Sequence, residues 1–60
     1  MQDKTIIESP RILLVEDSKD QAFVLSYYLQ NNGYIVDWCN TPQSAIKTAY
    51  QNDYHLILLL

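Results

Sequence analysis

The chain has one glycine, one cysteine, one histidine and two prolines in 60 residues, and four lysines and arginines against seven aspartates and glutamates. Each shortage excludes something. Cys39 has no second cysteine to pair with, and Cys39 with His55 falls short of the cysteine and histidine sets that hold zinc. A formal net charge of −3 leaves no basic stripe, so direct nucleic-acid binding is not expected. The opening "MQDKTIIESP" lacks the apolar core of a signal peptide, and no apolar run approaches the ~20 residues of a membrane-spanning helix. The expectation is a soluble cytoplasmic protein without membrane association, a setting that also suits a reduced thiol. Length imposes a further limit. A chain of this size is one domain at most and buries only about 60% of the surface its unfolded form exposes.

What is present is a clear alternation of periods. Residues 1–10 read as a flexible polar tail closed by Pro10, which biases its predecessor toward extended backbone and has no N–H for a ladder. "RILLV" (11–15) is a short unbroken apolar run, the pattern of a strand buried on both faces. From Ser18 the period changes. Ala22, Leu25, Ser26 and Leu29 recur at helical spacing and Tyr28 widens the stripe, which predicts a helix over 18–31. Ser18 and Gln21 have the spacing of a capping box, and Gly33 stands where a helix end calls for positive φ. Tyr27 and Tyr28 cannot both face one core, so one of them is expected at the surface.

"YIVDWC" (34–39) is β-branched and aromatic, and Asp37 within it marks an edge strand guarded by a charge. Thr41 as N-cap and Pro42 at the first helical position open a second helix over 42–51, with Ala45, Ile46 and Ala49 on a narrow apolar face. "HLILLL" (55–60) forms the third strand. Strand, helix, strand, helix, strand is two consecutive crossover units, hence an α/β fold with a parallel sheet. Right-handed crossovers leave two layouts, 2-1-3 or 1-2-3. The charge in the second strand and the apolar first and third favour 2-1-3. That order puts a switch point between the first and third strands, where open α/β sheets bind ligands at their carboxyl ends. Glu16 and Asp17 end the first strand there, and Leu60 ends the third.

Two adjacent carboxylates at a strand end suit Mg²⁺, a hard cation that takes oxygen ligands and keeps several waters. The same Asp17 equally suits the start of a helix, where a negative charge meets the positive end of the dipole. Both readings stand on the residues alone. Lys19 reads as a solvated first-turn residue and Lys47 as a helix-surface one. Cys39, at the end of an edge strand, reads as an idle thiol. His55 begins a buried strand rather than lying on an exposed helix face, which argues for a structural or solvent-edge role over a phosphorelay histidine.

From "RILLVED" through "NNGY" and the second, alanine-bearing helix to "YHLILL", residues 11–60 resemble the amino-terminal half of the receiver domain of two-component response regulators. The resemblance implies a truncated flavodoxin-like receiver: residues 1–10 as a tail and 11–60 as a partial domain. In that family a histidine kinase's phosphoryl group passes to an aspartate ending the third strand, and Mg²⁺ is held by the acid pair. Asp17 and Glu16 match that pair, with Asp17 the more direct ligand and Mg²⁺ only weakly held. The departure is at the acceptor. Receivers read like "DLILLD" where this chain reads "HLILLL", so Leu60 stands in the phosphoacceptor's place and supplies no nucleophile. The implied function is a phosphorelay signalling fragment without phosphotransfer or other enzymatic chemistry of its own. Its partners would be a histidine kinase or an intact receiver domain. The alternative is a non-phosphorylated interaction module that pairs, or self-associates, through the open edge of its third strand.

Overall fold

A computed structural model describes residues 9–60. The expectation of a flexible tail therefore falls, for residues 1–8, outside the described residues. The elements run β1 (Arg11–Val15), α1 (Lys19–Asn31), β2 (Ile35–Cys39), α2 (Pro42–Gln51) and β3 (Leu56–Leu59). The three strands form one parallel sheet in the order β2-β1-β3. This is the layout expected from the single charge in the second strand and the apolar first and third.

The helices start where their caps allow. Ser18 is the N-cap of α1 in extended backbone, and its hydroxyl accepts from the Gln21 amide at 3.3 Å. Thr41 does the same for α2, accepting from the Ser44 amide at 3.1 Å, with Pro42 in the first turn, where its missing N–H costs nothing. α1 ends on bonds from the Asn32 and Gly33 amides to the carbonyls of Leu29 and Gln30. Gly33 then reverses the chain at φ +93°, a left-handed conformation that costs a side-chain-bearing residue. The turn delivers Ile35, whose amide donates to the Pro10 carbonyl at 2.9 Å. Pro10 is thus tied to the sheet instead of ending the tail.

Register follows from the pairing of Leu13 with Asp37 and with Ile57. Side chains alternate between the faces, so Leu13 and Val15 turn toward α2 and pack with Ala45, Cys39, Ala49 and Tyr54, while Ile12 and Leu14 turn to the α1 face. All four side chains from Ile12 to Val15 are buried, and each helix buries only an alanine fully, Ala22 or Ala45. The core therefore belongs to one strand, and the helices approach it on methyl groups. Both helices pack over β1 and β2, and neither covers β3.

That arrangement departs from the apolar pattern in three places. β3 is the least buried strand, not a buried one, and regular pairing ends at Leu59. The ladder reaches one residue further at each end through bonds from the His55 amide to the Arg11 carbonyl and from the Leu60 amide to the Val15 carbonyl. Ile46, expected on the core face of α2, is exposed and lines an apolar groove with Ile57 and Leu59, both exposed too. Tyr27 and Tyr28 are both exposed, since α1 covers only the two strands beneath it. No helix among the described residues is long and apolar enough to cross a membrane.

Candidate functional site

The carboxyl end of β1 carries the acid pair, and the backbone there separates the two acids. Glu16 continues the alternation of β1 onto the α1 face and is 6% exposed. Its Oε2 accepts from the Ser18 amide at 2.9 Å, which gives one of the unpaired N–H groups before α1 a partner. A buried carboxylate without such a donor would be costly. Asp17, one residue on, is exposed. Of the two expected ligands, Asp17 is open to solvent and Glu16 is committed to the helix start through one of its oxygens.

The surrounding backbone holds this end firmly. The Glu16 amide donates to the Cys39 carbonyl at 3.1 Å, and the Glu16 carbonyl accepts from the Trp38 indole N–H at 2.8 Å. On the opposite side the Leu60 amide reaches Val15. The structure thus brings the acid pair and Leu60 to the same end of neighbouring strands, across the opening between β1 and β3. Between α1 and this opening lies an apolar groove lined by Val24, Leu25, Tyr28 and Leu60, with Asp20 and Gln21 at its side.

Among the described residues no three His, Cys, Asp or Glu side chains gather. Mg²⁺ does not need three, since it is commonly held by one or two carboxylates and several waters. The donors present fit such a cation in kind: an exposed Asp17 carboxylate, with the carboxylate of the adjacent Glu16 buried and engaged through Oε2. A bound Mg²⁺ would supply positive charge at the switch point. Lys19 and Lys47 are exposed. Cys39 is half-buried, and its thiol donates to the Thr48 hydroxyl at 3.5 Å, a packing role within the α2 face.

At the other end of the sheet the structure assembles a cluster that the sequence reading did not anticipate. The Arg11 guanidinium donates to Asp37 Oδ2 at 2.9 Å and lies over the Tyr54 ring, 5.1 Å from its centroid. The Tyr54 hydroxyl donates to the same Asp37 oxygen at 2.5 Å. That hydroxyl holds the Asp37 carboxyl below its ordinary range, against the opposing effect of burial and with further help from Arg11. Burial first, and then the hydrogen bond to Asp37, pushes Tyr54 up to about 12. Asp37, expected as a bare edge charge, is therefore paired. The signal lay in the topology: once β2 neighbours β1, an arginine and an aspartate two register steps apart share one face.

His55, expected to begin a buried strand in a structural or solvent-edge role, lies one residue before β3 and is exposed. Its Nδ1 accepts from the Arg11 amide at 2.9 Å. No family model, curated protein or solved structure matches the chain.

Proposed function

We propose that the chain is a receiver-like module of two-component phosphorelay signalling, with a flavodoxin-like architecture and no phosphotransfer of its own. The observation that carries this reading is the acid pair at the carboxyl end of the central strand of a parallel 2-1-3 sheet, facing the switch point. Asp17 is the direct Mg²⁺ ligand, and Glu16 supports it while capping α1. Leu60, beside the pair on β3, offers an apolar side chain where the receiver family has its acceptor aspartate. The module's partners are a histidine kinase or an intact receiver.

Titration with Mg²⁺, followed by fluorescence of Trp38, tests this. The indole donates to the Glu16 carbonyl, so a cation at the pair alters its surroundings. The expected result is a saturable change at millimolar Mg²⁺ that Asp17→Asn abolishes, and no mass adduct after incubation with acetyl phosphate. A folded sample whose emission ignores Mg²⁺ removes the metal assignment, and an acyl-phosphate adduct removes the assignment of Leu60.

A second reading has its own observation. Leu56, Ile57 and Leu59 are exposed on a strand whose outer edge is unpaired among the described residues. Such an edge is a template for strand addition, which supports a non-phosphorylated interaction module that self-associates or pairs with another chain there. Sedimentation of the protein separates the readings. A Mg²⁺-independent oligomer that Ile57→Lys converts to monomer favours the edge, and a monomer that responds to Mg²⁺ favours the acid pair.

A further inference from the structure

The contact between His55 and Arg11 belongs to neither reading. Within a parallel ladder the backbone of one strand bonds the backbone of the next. Here the first residue of β1 is gripped twice by a single residue. The His55 amide donates to the Arg11 carbonyl at 2.9 Å, and the His55 imidazole Nδ1 accepts from the Arg11 amide, also at 2.9 Å. The side chain takes the place of a missing ladder carbonyl. An Nδ1 that accepts carries no proton, so the neutral ring has its hydrogen on Nε2.

We propose that His55 is a proton-operated latch on the start of β3, closed while its imidazole is neutral and opened when Nδ1 takes a proton. Protonation turns the acceptor into a donor that faces another N–H, and the side-chain half of the grip is lost. The backbone half remains, so the lead-in to β3 loosens without the sheet dissolving. Histidine is the side chain suited to change charge between about pH 5 and pH 8. Among the described residues Tyr34 lies just before β2 at this end, and the other charged and titratable groups are Arg11 of β1, Asp37 of β2 and Tyr54. They are occupied with one another, the guanidinium on Asp37 and over the Tyr54 ring, the hydroxyl on Asp37. Asp53 is the remaining acid of the α2–β3 loop and is exposed. The latch matters because neither helix packs over β3, so its hold on the domain is its ladder to β1 and this grip. Acid would free the start of the strand whose outer edge is open.

The test is NMR of the ¹⁵N-labelled full chain from about pH 8 to about pH 5, reading the His55 ring nitrogens and the exchange of the Arg11 amide corrected for its intrinsic pH dependence. The expected result is a neutral ring protonated on Nε2 and an Arg11 amide that loses about fivefold in protection as the ring titrates, the worth of one ordinary hydrogen bond. His55→Asn offers a carbonyl oxygen in place of Nδ1 and is expected to keep the protection flat across the range. His55→Ala is expected to be low and flat. A neutral ring protonated on Nδ1 overturns the proposal, as does an Arg11 amide that does not follow the ring's titration. Both are read on the unsubstituted chain, so the outcome stands even where a variant fails to fold.

Discussion

β1 and β3 lie side by side, and their paired segments, "ILLV" and "LILL", differ little in composition. Yet Leu13 and Leu14 are 0% exposed while their partners' neighbour Leu59 is 69% exposed. Nothing in the side chains accounts for this. β1 has a strand on each edge and a helix on each face, whereas β3 has one paired edge and no helix over it. An apolar run therefore states what a strand requires of its surroundings, and position in the sheet decides how much of that it receives. The same residue type is core in one strand and exposed in the next.

The contrast can be broken most severely at Leu13. Leu13→Ala empties space in a close-packed site and is expected to cost about 3 kcal/mol, enough to abolish cooperative unfolding in urea for a domain this small. Leu59→Ala on the exposed strand is expected to change stability by less than about 0.5 kcal/mol, unless the strand is buried in an oligomer. Equal losses at the two sites, in a sample that sediments as a monomer, would refute the comparison. Next come the caps. Ser18→Ala, which takes the hydroxyl from the start of α1, is expected to cost about 1 kcal/mol in the same denaturation experiment. α1 covers β1 and β2, so the loss bears on the buried strand and not on β3.

The smallest effect lies at the Arg11–Asp37 pair. Asp37→Asn is expected to cost well under about 1 kcal/mol, since both side chains are more than a third exposed and water screens the pair. Its signature is in the pH dependence. The folded-state Asp37 carboxyl lies below the ordinary value of 3.8, so its contribution is complete above that pH and is lost as pH falls through the folded value. The substituted chain is expected to lack that acid step in thermal melts. Tyr54 acts in the opposite sense. Raised from 10.0 to about 12, it contributes fully below its unfolded value and loses that contribution as alkali carries the pH through about 12.

Much of the architecture was legible because it rests on local chemistry. Ser18, Thr41, Pro42 and Gly33 mark their helix ends by what each backbone or side chain does within a few residues. The single charge of the second strand placed β2 at an edge. The acid pair's position was legible too, since it follows from where β1 stops. Its division of labour was not: Glu16 turns inward because strand alternation carries it under α1, to within reach of the Ser18 amide. The Arg11, Asp37, Tyr54 and His55 cluster joins residues 17 to 44 positions apart, and no periodicity in the chain encodes such distances. The open edge of β3 was expected, whereas how far Leu56, Ile57 and Leu59 are exposed depends on the neighbouring elements. Hydrophobicity reports a demand for cover, and only the arrangement of the neighbouring elements tells whether it is met.

The ownership of the core by β1 has a consequence for synthesis. The strand that supplies most of the buried side chains among the described residues is made before α1, β2, α2 and β3, the elements that shelter it. Its α1 face has no cover until α1 and β2 are out, at Cys39. Its other face waits for α2, through Gln51, and its second edge for β3. Because the helices press on it largely through alanines, Ala22 on one face and Ala45 and Ala49 on the other, each newly made helix can settle without displacing side chains already in place. The two faces of β1 thus gain their covering elements in chain order, α1 before α2.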